Sequence, residues 1–268
     1  MSTIDNLLDP IKIPKMVKVK QRFERPLIKN VEQELIRKIH EKDVLSKIKQ
    51  NQSIAIAVGS RGITDLPLMV KTLVSQIKNV GGRPFIVPAM GSHGGATAEG
   101  QKNMLIGMGI SEGYVEAPIK ATMEVVQVGT SENGLPVYID KFAFEADAII
   151  IINRIKPHVA FRGKYESGLM KMITIGLGKQ KGADICHELG FGKMAENIPA
   201  IARTALEKTN IIFAVGILEN AYHEICRIEV LDNKEIESKE PALLEEAKRL
   251  SPKLYFEKFD LLVIDEIG

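Results

Sequence analysis

The sequence predicts an α/β fold, a mostly parallel sheet with helices on both faces, and three observations carry that reading. Short apolar runs rich in β-branched residues recur between Gly, Pro or Asp residues. Amphipathic stretches with apolar residues at three- and four-residue intervals lie between them. The 268 residues are 45% hydrophobic and 26% charged, enough apolar side chain for a substantial core.

Taken in order, residues 31–48 predict a helix and 53–58 (SIAIAV) a buried strand. Residues 65–78 predict a crossover helix leading to a strand at 84–88, and 97–108 another helix. Strands are expected at 122–128, 147–153 and 211–217, with a helix at 194–208 before the last of these. These runs are almost unbroken in apolar character, as strands covered on both faces require. Residues 129–146 and 226–239 alternate apolar with polar positions and predict hairpin or edge strands. Residues 259–267, centred on 261–265, read as a further core strand. A core strand with no helix behind it would open a second α/β domain, missing or truncated at residue 268. The expected organisation is therefore an N-terminal α/β domain over 1–250 and the start of a C-terminal domain over 251–268. The whole reads as an open, Rossmann-like sheet, whose ligands belong at the carboxyl ends of the strands.

Composition removes several function classes. Lys and Arg number 36 against 34 acids, a net charge of +2 with the signs mixed along the chain, and aromatics are 5% with no Trp. That supplies neither a polyanion-binding face nor a base-stacking platform, so no nucleic-acid partner is expected. No unbroken apolar stretch exceeds five residues, the length reached at 54–58 and 148–152 among others. About 20 are needed to cross a bilayer, so no membrane span is expected. Asp5 and Asp9 precede any apolar block, which argues against a secretory or transit peptide. With only Cys186 and Cys226, the chain fits a reducing compartment, and a cytoplasmic location is expected.

Three strand exits carry unusual residues. Gly59-Ser60-Arg61-Gly62 follows the first strand and can hold an anion through backbone N–H groups and a guanidinium fork. An ordinary turn with a solvated Arg explains the same residues equally simply. Met90-Gly91-Ser92-His93-Gly94-Gly95 follows the second strand, and His93 is its one side chain that titrates near neutrality. After the strand at 147–153 comes a dense basic loop from Arg154 to Lys171, in which Pro157 stiffens the backbone that presents His158. His187 lies sixteen residues past Lys171, beyond Ile175-Gly176-Leu177-Gly178. Neither a GxGxxG at dinucleotide spacing nor a GxxxxGK[ST] occurs. Cys186 beside His187 lacks the second spaced pair of a structural zinc site. His40 and His223 read as structural.

In order and spacing these motifs resemble the N-terminal domain of the lactate racemase family, the nickel-pincer-nucleotide-dependent 2-hydroxyacid racemases and epimerases, from about residue 53 to 187. The resemblance implies that Ser60-Arg61 stands for the family's anion-binding Thr-Arg pair. It implies that His93 and His158 are the two catalytic histidines. Lys171 would be the lysine joined covalently to pyridinium-3,5-bisthiocarboxylic acid mononucleotide nickel, and His187 the nickel ligand. Three departures stand out. Val58 occupies the place of an acid three residues before the arginine, the interval from His158 to Lys171 is about three residues longer than in the lactate enzyme, and Gly168-Leu169-Met170-Lys171 has one glycine where the family commonly shows two.

The function expected from this resemblance is an isomerase acting on a 2-hydroxy acid, in which hydride passes to the tethered cofactor while a histidine takes the hydroxyl proton. Its partners would be that small-molecule substrate and the cofactor-synthesis enzymes. The runner-up is a non-catalytic binding domain for a small anionic or phosphorylated ligand, using Arg61 and the loop from Arg154 to Lys171. A zinc hydrolase using His158 and His187 is a third reading.

Overall fold

The computed structural model describes residues 3–12, 15–60, 62–188 and 190–266. Its contacts form two units, Glu24–Pro252 and a smaller one of Met1–Phe23 with Lys253–Gly268. The smaller unit holds helix α1 (Thr3–Leu8). In it Tyr255 N donates to Gln21 Oε1 at 3.0 Å, and Phe23 stacks on the Tyr255 ring with centroids 5.5 Å apart. The strand expected at 261–265 is not formed. Leu261, Leu262, Val263 and Ile264 are exposed, and no strand among the described residues takes their hydrogen bonds. An apolar run becomes a strand only beside an edge that pairs with it.

The large unit opens with α2 (Val31–Glu41), capped where the Asn30 side chain accepts from Gln33 N and buried along Val31, Leu35 and Ile39. The predicted helix over 31–48 stops there, because Asp43 turns left-handed at φ +49° and a 3₁₀ turn, Val44–Lys47, follows. Then come β1 (Ser53–Val58), α3 (Leu66–Asn79), β2 (Arg83–Pro88), α4 (Ala98–Gly107) and α5 (Glu112–Val115). A hairpin of β3 (Val125–Thr130) and β4 (Pro136–Asp140) leads through α6 (Lys141–Phe144) to β5 (Ala148–Arg154). The second half comprises α7 (Leu169–Lys171), a π-helical turn at Met172–Gly176, α8 (Lys179–Glu188), α9 (Met194–Lys208), β6 (Ile211–Glu219), β7 (Ile225–Asp232) and α10 (Asn233–Leu250).

The main sheet has the order β2-β1-β5-β6-β7. Its first four strands are parallel, in a register that aligns Val58 with both Pro88 and Ile152, and β7 runs antiparallel to β6 at the edge. Alternate residues feed two cores. Ile54, Ile56, Val58, Ile86, Ile150 and Ile152 join the helices α2 to α5 on one face. On the other, Ala55, Ala57, Val87, Ile149 and Ile151 join Leu169 of α7, Cys186 of α8, Ile198 of α9 and Leu244 of α10. The fold is thus the expected α/β arrangement, mostly parallel and covered on both faces.

Two local expectations fail. Residues 122–128 do not add a core strand, since β3 starts at Val125 and pairs only with β4, in a separate ribbon that is half-exposed. The edge strand predicted over 226–239 ends at Asp232, where a capping box of Asp232 and Glu235 starts α10. Among the described residues no helix is long and apolar enough to cross a membrane.

Candidate active site

Because β1, β2 and β5 are parallel, their exits lie on one edge of the sheet, and these exits carry Ser60, His93 and His158. Ser60 Oγ and His93 Nδ1 share a hydrogen bond, so the first two exits meet directly. Arg61 lies outside the described residues. Gly59 lets β1 approach the third exit, since a Cβ there would stand 3.3 Å from Asn153 Oδ1 and 3.6 Å from the Met172 sulfur. Asn153 Nδ2 donates in turn to Gly168 O at 2.9 Å.

The His93 loop is pinned through its backbone. Gly91 turns at φ +58° and donates its N–H to Gly176 O at 3.2 Å, which joins the loop to the segment that follows Lys171. The buried Gln101 of α4 donates Nε2 to Gly91 O at 2.8 Å and to His93 O at 3.2 Å. The His93 side chain itself is exposed.

His158 sits in a loop closed by paired backbone bonds between Lys156 and Ser167, at 2.7 and 3.2 Å. The buried Glu166 carboxylate accepts from His158 N at 2.8 Å and pairs with Lys248 at 2.9 Å. Burial pushes the Glu166 pKa up, but the N–H groups and Lys248 outweigh it and leave the carboxyl below its ordinary value. The His158 ring leans on Phe161, centroids 4.4 Å apart, and its Nδ1 accepts from Ala160 N at 3.1 Å. Burial, with the Lys171 cation second, lowers the imidazole to about 4.

Lys171 ends α7, and α7 rests on a buried acid. Glu240 of α10 accepts from Met170 N at 2.8 Å, while a Cβ on Gly168 would fall 2.1 Å from Glu240 Oε1, so this contact requires glycine. Burial raises the Glu240 carboxyl to about 7. A π-helical turn follows Lys171 at once and carries the chain to α8, where His187 is exposed in the last turn. Partial desolvation and, second, the same Lys171 cation hold His187 below its ordinary value. One lysine thus lowers the pKa of two imidazoles, His158 and His187, in both cases as the second cause after desolvation.

A sequence model of the lactate racemase N-terminal domain matches residues 8–198. The chain belongs to the lactate racemase N-terminal domain family. Its fold also matches the solved lactate racemase apoprotein from Thermoanaerobacterium thermosaccharolyticum, at a TM-score of 0.55 and 17% identity over 79% of this chain. The match spans 54% of that structure, so the chain corresponds to about half of it. A search of curated proteins gives no match.

In this lactate racemase family chain, a hydrogen bond joins Ser60 with His93, and the Lys171 cation lowers the pKa of both His158 and His187. His40 instead meets Gln76 at 3.2 Å, and His223 turns at φ +59° between β6 and β7. Cys186 is buried against Met194, which raises its thiol to about 11 and leaves it no nucleophile. Among the described residues no group of three or more His, Cys, Asp or Glu can hold a metal ion. The sequence reading missed Gln101, Glu166, Lys179 and Glu240, polar residues buried around the site. None had a legible signal: Glu240, for one, lies beside Pro241 in a helix whose apolar pattern the two interrupt.

Proposed function

We propose that this chain is the catalytic-loop domain of a racemase or epimerase acting on a 2-hydroxy acid with a nickel-pincer nucleotide. What supports the proposal is the family match, with the Ser60–His93 hydrogen bond at parallel strand exits that also lead to His158, and a Lys171 cation that lowers the pKa of both His158 and His187. The donor set fits such a group. A metal here needs most of its ligands from outside the protein side chains, and His187 offers one neutral nitrogen. Lys171 would hold the group covalently and His187 would ligate its nickel. When bound, the group supplies a hydride acceptor and donor, which spares the substrate a carbanion.

The chain's own residues handle the proton. With Nδ1–H donating to Ser60 Oγ, His93 presents Nε2 as a base for the substrate hydroxyl. His158 accepts from Ala160 at Nδ1, so its neutral ring carries hydrogen on Nε2 and can donate to the substrate oxygen. To act as a base on the opposite enantiomer, His158 must release Ala160. Arg61 would hold the substrate carboxylate. We place the protein in the cytoplasm, with the cofactor-synthesis enzymes as its partners.

The test is intact mass. Protein made together with the cofactor-synthesis enzymes should carry a covalent adduct that Lys171→Ala lacks, and an unmodified Lys171 without nickel under those conditions overturns the proposal. In that event the anion-binding reading takes over. A pocket of about 270 Å³ lined by Arg154, Lys156, His223 and Glu219 is the observation that favours it.

A further inference from the structure

Lys179 stands where two physical costs coincide. Its side chain is fully buried, and its backbone lies in the left-handed region at φ +54°, which favours glycine. A residue that carries both costs needs a strong local reason. Its ammonium donates to Pro88 O at the end of β2 and to Gln101 Oε1 at 2.8 Å, and it pairs with Asp140 Oδ2 at 3.0 Å. Asp140 is equally buried, accepts from Ala143 N at 3.0 Å and donates its own N–H to Leu177 O at 2.7 Å. Gln101 passes the connection on, because its other amide atom donates to the carbonyls of Gly91 and His93. The ammonium has turned Gln101 so that its oxygen faces the cation and its NH₂ faces the loop.

We propose that Lys179 is a positioning residue, which ties the segment between Lys171 and His187 to the His93 loop through Gln101. This rests on the racemase reading for its purpose, though not for its geometry. Lys179 begins α8, the helix that bears His187, and lies just past the turn that follows Lys171. A rigid link from there to His93 fixes the distance between a base on one strand exit and the group held on the next. A neutral side chain at 179 would leave the Gln101 amide free to turn over, and the loop carbonyls would lose their donor.

Gln101→Glu tests this with little change of shape. The carboxylate still meets Lys179 but gives nothing to Gly91 O or His93 O. In the protein without cofactor, the ring-nitrogen NMR signal of His93, assigned by its loss in His93→Gln, should move toward its position in Ser60→Ala. Amides of residues 91–96 should exchange about tenfold faster while the core amides are unchanged. The double variant Lys179→Met with Asp140→Asn, which avoids an unpaired buried charge, should do the same. In loaded enzyme kcat should fall about tenfold or more with KM within about twofold. A folded variant of either kind with wild-type His93 signal and loop exchange overturns the proposal, and should one fail to fold, the other decides. These readouts need no cofactor, so the positioning role and the racemase reading fail separately.

Discussion

His158 shows how two weak causes make one useful state. Removal of its ring from water and the nearby Lys171 cation both disfavour the imidazolium, and together they hold it near 4. The folded value lies below the ordinary 6.5, so the neutral ring adds stability above about pH 6.5 that is lost as pH falls toward 4. In an NMR titration of the cofactor-free protein, His158 should stay neutral down to pH 5, and Lys171→Ala should raise its midpoint. A midpoint near 6.5 in the unaltered protein would refute this. His158 was readable from the sequence because Pro157 and a strand exit mark it. Its carboxylate support was not readable. Glu166 is one acid among 34, and only the folded chain shows that it is fully buried under the His158 amide.

At the scale of the element, the short α7 is not self-supporting. Three residues cannot close a helix by their own hydrogen bonds, and the orphan N–H of Met170 is taken by Glu240 from α10. Burial raises that carboxyl from 4.5 to about 7. A raised acid contributes stability that is complete below about pH 4.5 and lost as pH rises to about 7, at most about 3 kcal/mol here. Glu240→Gln should therefore flatten the dependence of thermal stability on pH between 4.5 and 7.5 relative to the unaltered protein, and an unchanged slope would assign it to other groups. The buried parallel strands were legible because they are almost unbroken in Ile, Val and Ala. The helix α10 was not, although Ile236, Leu243, Leu244 and Ala247 lie on one face, because Pro241 and the buried Glu240 interrupt its pattern. The ribbon of β3 and β4 shows the opposite failure, since β-branched residues over 122–128 suit a half-exposed hairpin as well as a core.

For the molecule as a whole, the large unit carries both cores, and every residue of the candidate site lies within it. Residues 24–252 alone should unfold in one cooperative transition with a midpoint within about 4 °C of the full chain, measured by circular dichroism. A broad or multi-step transition would show that the core depends on the remaining segments. The fold class was legible because alternating strands and helices admit few arrangements. The strand order was not, since no local pattern says that β1 lies between β2 and β5. That order has a consequence during synthesis. Ser53 hydrogen-bonds Asp147 at 2.7 Å, 94 residues later, so on the ribosome β1 and β2 wait with one edge unpaired until β5 emerges. The strands that lead to His93 and His158 lie on opposite sides of that seam, and a nascent chain paused before residue 148 holds only the first of them beside a bare strand of alternating Ile and Ala.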